Sequence, residues 1–444
     1  MLHLRVPLTQ RKPSGEQASS SRASSGGYHR PPPHPRAPLR CRASDPAMLL
    51  SALTLPLLAV PSVLREPRDD WPQWGGPQRS GVSGETKWSA QGKSEPLWKA
   101  ELGLGYSSVA VAGKRVYTLG YDKETEHDVV YCLDAATGEE LWVRTYPAKL
   151  MDLYHGGGTL TTPTVDGEFV YVSEREGKLR CLKAKNGDVV WEREATKEFG
   201  LDIPQWGFSA SPVVIGERVI LNYGKVFAFD KKKGTPVWQT KKSYGDAYST
   251  PIALAPGADP TLAVFAGTGL VILASADGAE LAFTPWETQY NVNAMTPVVL
   301  DRRLFISSGY DRGCALLDLS GKDPKVAWES KVMRNQMSGA VPWQGHLYGF
   351  DDKVLKCIDL EGNEKWRERG LGLGALSIAA GRLIVISEEG ELVIAEASSA
   401  GFKELAREKV LDGGICWTVP VLSDGVIYVR NHAGELLALD HRLP

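Results

Sequence analysis

Cysteine is scarce in this chain, six among 444 residues, and no two stand as CxxC, CxxCH or an adjacent pair. A zinc knuckle, covalent haem attachment and a vicinal disulfide are therefore not written here. A GxSxG elbow, a P-loop, a dinucleotide fingerprint and an EF-hand loop are also missing, so no hydrolase, nucleotide or calcium motif anchors a function. The Gly-rich runs GGG at 156–158 and GLGLG at 370–374 read as turns ahead of strands rather than phosphate cradles. No hydrophobic run is long enough to span a bilayer comfortably. Neither sign of charge dominates: the whole chain carries −2, and its body is mildly acidic, which argues against nucleic acid as a partner.

What is present starts with a change of composition. Residues 1–47 are Arg/Pro/Ser-rich, lack hydrophobic periodicity and hold eight Lys/Arg against two Asp/Glu, which leaves −8 on residues 48–444. They read as a disordered leader, dispensable or mis-started in preference to a basic binding tail. MLLSALTLPLLAV at 48–60 has the length of a signal-peptide h-region. Residues 48–62 are accordingly expected to be a signal peptide or an uncleaved anchor, with Arg40 and Arg42 as positive flank or Met48 as the true start. Export to the periplasm or cell envelope follows, and no Cys succeeds the h-region to carry a lipid. Residues 67–93 form an extension packing on the region 94–444; its Asp-Trp-Pro-Gln-Trp opening at 70–74 would plug a face or, as we prefer, tie the N-terminus down.

From residue 94 the chain repeats itself. CLDAATGEELW at 132–142 returns as CLKAKNGDVVW at 181–191, AFDKKKGTPVW at 228–238, a two-residue-longer copy ending at Trp328 and the shorter CIDLEGNEKW at 357–366. The period is about 38–49 residues. Two copies lack the indole, with Ala282 and Leu405 read at its position. A second piece precedes each copy, a turn followed by an alternating strand, as in TPTVDGEFVYVS at 162–173. Four short strands per repeat make a propeller blade. The final copy ends without its Trp-bearing strand while an orphan strand stands near residues 97–103, so the ring should close there, giving an all-β, eight-bladed β-propeller with no exposed edge. Asp134, Asp230, Asp359 and Asp440 are expected to bond the following turn, and Gly138, Gly187 and Gly234 to supply φ > 0. Trp98, Trp142, Trp191, Trp238, Trp328 and Trp366 are read as structural wedges between blades. Cys132, Cys181 and Cys357 recur at one position and are read as small buried hydrophobes.

This motif resembles the tryptophan-docking motif of quinoprotein dehydrogenase propellers over about residues 70–443. In size the chain is similar to the compact exported PQQ-like (pyrroloquinoline quinone repeat) propellers. That group includes the outer-membrane assembly lipoprotein propeller and proteins opening with D-W-P-Q-W-x-G-P-x-R-x-G-V-S, here Asp70 to Ser83. The dehydrogenase side of the resemblance implies a quinone with Ca²⁺ over a carboxylate and amide ligand set. No residue of this chain aligns with those ligands or with the catalytic Asp, and no Cys–Cys pair is present.

Functional residues in a propeller are sought in the links between blades, which converge on one face. Those links hold His155, Gln205, Trp206, Asp246, Tyr248, Tyr290, Asn291, Asn293, Arg334, Asn335, Gln336 and Trp417. They could form a ring of stacking faces and amide donors, with Arg334 for an anionic group and Asp246 or His155 for proton transfer or a cation. Equally, links facing a wet channel are polar without purpose. His155 lacks the companions a metal needs, so no metal site is expected. The favoured expectation is a monomeric, non-catalytic envelope scaffold without cofactor, whose partner is an envelope protein or a small polar ligand. The alternative is an alcohol or sugar oxidoreductase using PQQ with Ca²⁺ in the central funnel, and the same ring would also suit a carbohydrate.

Overall fold

Alternating β-branched and aromatic residues, punctuated by Gly and Asp turns, give almost nothing but strands. The computed structural model describes residues 70–443 except 94, 153, 258, 259 and 322. The leader and the h-region therefore lie outside the described residues. Eight antiparallel sheets form blades 1 to 8 at 110–147, 164–194, 213–239, 252–285, 298–330, 341–368, 375–409 and 421–440. Trp98–Glu101 pairs with Glu435–Asp440, Trp98 opposite Ala438, and so completes blade 8 and closes the ring. In each blade a short inner strand is followed by two middle strands buried along most of their length and an outer strand that is largely exposed.

The repeated tryptophans fasten neighbouring blades. The indole Nε1 atoms of Trp98, Trp142, Trp191, Trp238, Trp328 and Trp366 donate to main-chain oxygens of the next blade at 2.7–3.0 Å. Each of the first four lies flat on a turn glycine: a Cβ on Gly138, Gly187, Gly234 or Gly278 would come within 2.4–2.6 Å of the ring. Those glycines also have φ of 68–74°, so both space and backbone demand glycine there. Cys132, Cys181 and Cys357 face Trp142, Trp191 and Trp366 across the sheet and are buried.

The two copies without the motif indole are mended differently. In blade 4, Trp286, four residues beyond Ala282, is buried against blade 5 and donates to Ser308 Oγ at 3.1 Å. In blade 7 the register puts Ala406, not Leu405, at the indole position, opposite Ile394 as Trp366 is opposite Cys357. The bulge skips Leu405, a one-residue offset that a gapless reading of the sequence misplaces. Trp88 of the N-terminal segment enters the core shared by blades 7 and 8, against which Leu405 and Ala406 pack.

The same segment crosses the channel bounded by the inner strands. Trp71 exchanges main-chain bonds with Val111 of blade 1, and Pro72 accepts from Val165 of blade 2. Trp74 donates to Thr296 beside blade 5, and Val82–Ser83 pairs in parallel with the inner strand of blade 7. The segment thus ties the N-terminal side of the ring down along the channel itself.

Candidate functional site

Inner and outer strands run antiparallel within a blade, so links between blades and the hairpins joining the two middle strands emerge on the same face. There they enclose a cavity of about 200 Å³ floored by Trp74. One wall is a cluster of rings: Trp417 stacks on Tyr106 at 5.3 Å, and His432 stacks on Tyr106 at 4.7 Å. The Tyr106 hydroxyl donates to the His155 carbonyl at 2.6 Å, and the His155 ring meets Trp417 edge-on at 5.4 Å. Glu388 holds the Trp417 indole N–H at 3.2 Å. Across the cavity Trp206 sits edge-on to Tyr248, and its Nε1 is buried without a partner, as is Thr418 Oγ1. Tyr310, Met151, Met337 and Leu160 add apolar surface, and Ser209, Ser211, Thr250 and Gln336 add neutral polar groups.

Charge is nearly absent. Arg175 is the one cation among the described wall residues, and its guanidinium is buried on Asp128 at 2.5 Å and on the Lys149 carbonyl. Burial pushes the Asp128 carboxyl up, against the pull of Arg175. Burial also lowers the imidazoles of His155 and His432, so both rings are neutral near pH 7.

Of the residues expected from the sequence, His155, Trp206, Tyr248, Gln336 and Trp417 meet at this cavity. Gln205, Tyr290 and Asn291 are exposed on the links outside it. Asp246 is half-buried and does not line the cavity, although its carboxylate is near enough to raise Tyr248 of the wall, and its own carboxyl is raised by burial. Asn293 is spent on structure, its amide donating to Ala266 and Trp286 carbonyls at 2.8 and 3.1 Å and its oxygen accepting from Ser308. Asn335 is likewise buried, donating to the Phe350 carbonyl at 3.1 Å. Arg334 is not available to an anion in the funnel: it is outside the cavity wall, bidentate on Asp351 at 2.7 and 3.1 Å and paired with Asp311.

Trp74, Tyr106, Arg175 and Tyr310 were absent from that expectation. Tyr106 lies in the link before blade 1, a signal the repeat carries. Arg175 and Tyr310 lie in hairpins between middle strands, which share the face for the topological reason given above. Trp74 arrives from outside the repeat and has no periodic signal.

A tricarboxylate quinone with Ca²⁺ would require cations or donors for three carboxylates and oxygen ligands for the metal. The described wall offers neutral hydroxyl, amide and indole donors, one guanidinium already paired with Asp128, and no carboxylate to ligate Ca²⁺. No group of three His, Cys, Asp or Glu among the described residues is placed to hold a metal. These residues do not fit that group.

A family model described as outer membrane protein assembly factor BamB matches residues 81–160 and 126–368. The outer membrane protein assembly factor BamB of Moranella endobia (strain PCIT) is 21% identical over 321 residues, spanning 65% of this chain and 79% of the relative. Among solved structures, BamB from Moraxella catarrhalis superposes with a TM-score of 0.58 at 17% identity, over 78% of this chain and 97% of that one. Quinohemoprotein alcohol dehydrogenase from Comamonas testosteroni superposes with a TM-score of 0.60 at 13% identity, over 85% and 82% of the respective chains. At such identities the structural likeness is one of fold.

Proposed function

This chain belongs to the PQQ-like β-propeller family of outer membrane protein assembly factor BamB, and from that premise we propose that it is an exported, non-catalytic propeller that binds a protein partner in the cell envelope. The observation that carries the non-catalytic part is the funnel wall: aromatic, apolar and neutral hydroxyl or amide side chains, no carboxylate among the described residues, and a single cation already bonded to Asp128. General acid–base work requires a titratable group oriented beside the reacting atoms, and the imidazole in this wall, His155, is lowered by burial and has no carboxylate among the described wall residues to orient it.

The face around the funnel supports a protein partner. Tyr154, Ile203 and Tyr290 are 83%, 41% and 49% exposed on three different links of that face. Exposed large apolar residues gathered around a concavity, with Gln205 and Asn291 between them, have the composition of an interaction surface.

Two measurements test the reading. In intact cells, a photo-crosslinker at position 290 should give one discrete adduct with an envelope protein; no adduct, or retention of the chain in the cytoplasm, overturns it. The purified protein with PQQ, Ca²⁺ and a panel of alcohols and aldoses should show no dye reduction; turnover would overturn the non-catalytic assignment and restore the oxidoreductase alternative, for which likeness to quinohemoprotein folds is the support.

A further inference from the structure

Below Trp74 the channel holds a second, larger cavity of about 520 Å³, between the N-terminal segment and the inner strands of blades 4 to 7. Its walls are mostly apolar side chains and main chain, including Leu254, Met295, Val299, Val341 and Leu376, with Gln78, Ser80 and Thr296 as neutral polar residues. One charged residue faces it among the described residues, Arg79 of the N-terminal segment. The Arg79 guanidinium makes a single long bond, 3.4 Å to the Val214 carbonyl, and no described carboxylate forms an ion pair with it.

Arg430, which also lacks a carboxylate partner among the described residues, shows how a structural guanidinium is held in this fold. Arg430 is fully buried and is held by the Ser107, Leu119 and Gly103 carbonyls at 2.6–3.0 Å and by the Thr118 hydroxyl, with only its Nε left without a partner. Arg79 has five donors, as any arginine does, and uses one. Arg79 is only partly buried, and its unused donors are open to water or to an anion entering the cavity. Arg79 also sits at φ +55°, a strained place for a side chain that glycine would fill more cheaply.

We propose that this lower cavity is a binding site for a small amphipathic anion, a carboxylate on a single apolar chain, with Arg79 holding the carboxylate and the inner-strand walls of blades 4 to 7 taking the chain. Apolar walls reject a fully hydrated anion such as phosphate, and one guanidinium matches one carboxylate bidentately. The site lies across Trp74 from the funnel and does not depend on the envelope-partner reading.

The test is calorimetric titration of the full-length protein with decanoate, with decanol as the uncharged counterpart and with a hydrophobic pentapeptide bearing a free C-terminus. Decanoate is expected to bind saturably and at least tenfold more tightly than decanol. Arg79→Gln, which keeps the backbone demand at φ +55° unchanged, should bring decanoate down to the level of decanol. Leu254→Trp, which fills the cavity and leaves Arg79 in place, should abolish binding of both. Absence of saturable decanoate binding, equal binding of decanoate and decanol, or decanoate affinity within twofold of the original in Arg79→Gln would each overturn the proposal. Tighter binding of the pentapeptide than of decanoate would overturn the single-chain assignment.

Discussion

The amide of Ser89 donates to the carbonyl of His441 at 2.6 Å, and that carbonyl occupies the place at which Ala135, Lys231 and Leu360 accept docked indoles in other blades. Blade 7 has Ala406 where its docking tryptophan would be. The N-terminal segment therefore supplies from outside the repeat both the missing hydrogen bond and, through Trp88, the missing aromatic mass.

Trp88→Ala should consequently cost as much as loss of a core aromatic, about 3–5 kcal/mol, although the residue lies outside every repeat. Equilibrium urea unfolding followed by far-UV circular dichroism measures it. A loss below about 1 kcal/mol, the range of surface changes, would mean that blades 7 and 8 hold together without the segment.

The Gly187–Trp142 contact makes a second prediction. A methyl on Gly187 would meet the indole at 2.6 Å at a residue with φ +72°. Gly187→Ala should destabilise by about 2–4 kcal/mol, of which the steric part disappears once the indole is gone. In a Trp142→Ala background the penalty should fall to the backbone cost alone, about 1 kcal/mol. Additive effects of the two changes, measured by a double-mutant cycle, would contradict direct docking.

These contacts also show why the ring was readable and the site only in part. A docking Trp repeats because every blade meets the next through the same geometry, so packing writes a period into the sequence, and the closing strand at Trp98 follows from it. The cavity is built where the period is broken. His155, Trp206 and Trp417 could be found as departures within the links, whereas Arg334 and Asn293 depart for a different reason, to satisfy Asp351 and the carbonyls of Ala266 and Trp286. Polar identity alone does not tell a residue facing a cavity from one stitching a loop; that distinction lies in main-chain partners many residues away. Trp74 is further still from inference, since its place depends on the path of a segment that repeats nothing.

The Arg175–Asp128 pair should be asymmetric under mutation. Both side chains are fully buried, and Asp128→Asn leaves the guanidinium against Tyr121 and the Lys149 carbonyl without its counter-charge. A loss of about 3–5 kcal/mol is expected, with much of it recovered in the double variant Asp128→Asn, Arg175→Met, which removes the stranded charge. Thermal or urea unfolding of the three proteins decides it: a double variant no better than Asp128→Asn would place the cost in the asparagine rather than in the orphaned arginine.

The ring cluster at the funnel makes stability depend on pH. His432 stacks on Tyr106, donates from Nε2 to the Gly157 carbonyl at 3.0 Å, and is pushed down mainly by burial, with the nearby Arg430 adding to it. A base whose folded pKa is depressed binds fewer protons in the folded than in the unfolded state, so its contribution is present above the unfolded value, about 6.5, and is lost as pH falls below it. The protein should therefore become less stable between about pH 7 and pH 5. The burial-lowered His155 and His441 act in the same direction. His432→Gln, which keeps a hydrogen-bonding group near Gly157 but cannot gain the proton, should be less stable than the original at pH 7.5 and show a shallower decline toward pH 5. Parallel stability–pH curves for the two proteins would mean that His432 titrates alike in both states and that the stack on Tyr106 does not exclude its charged form.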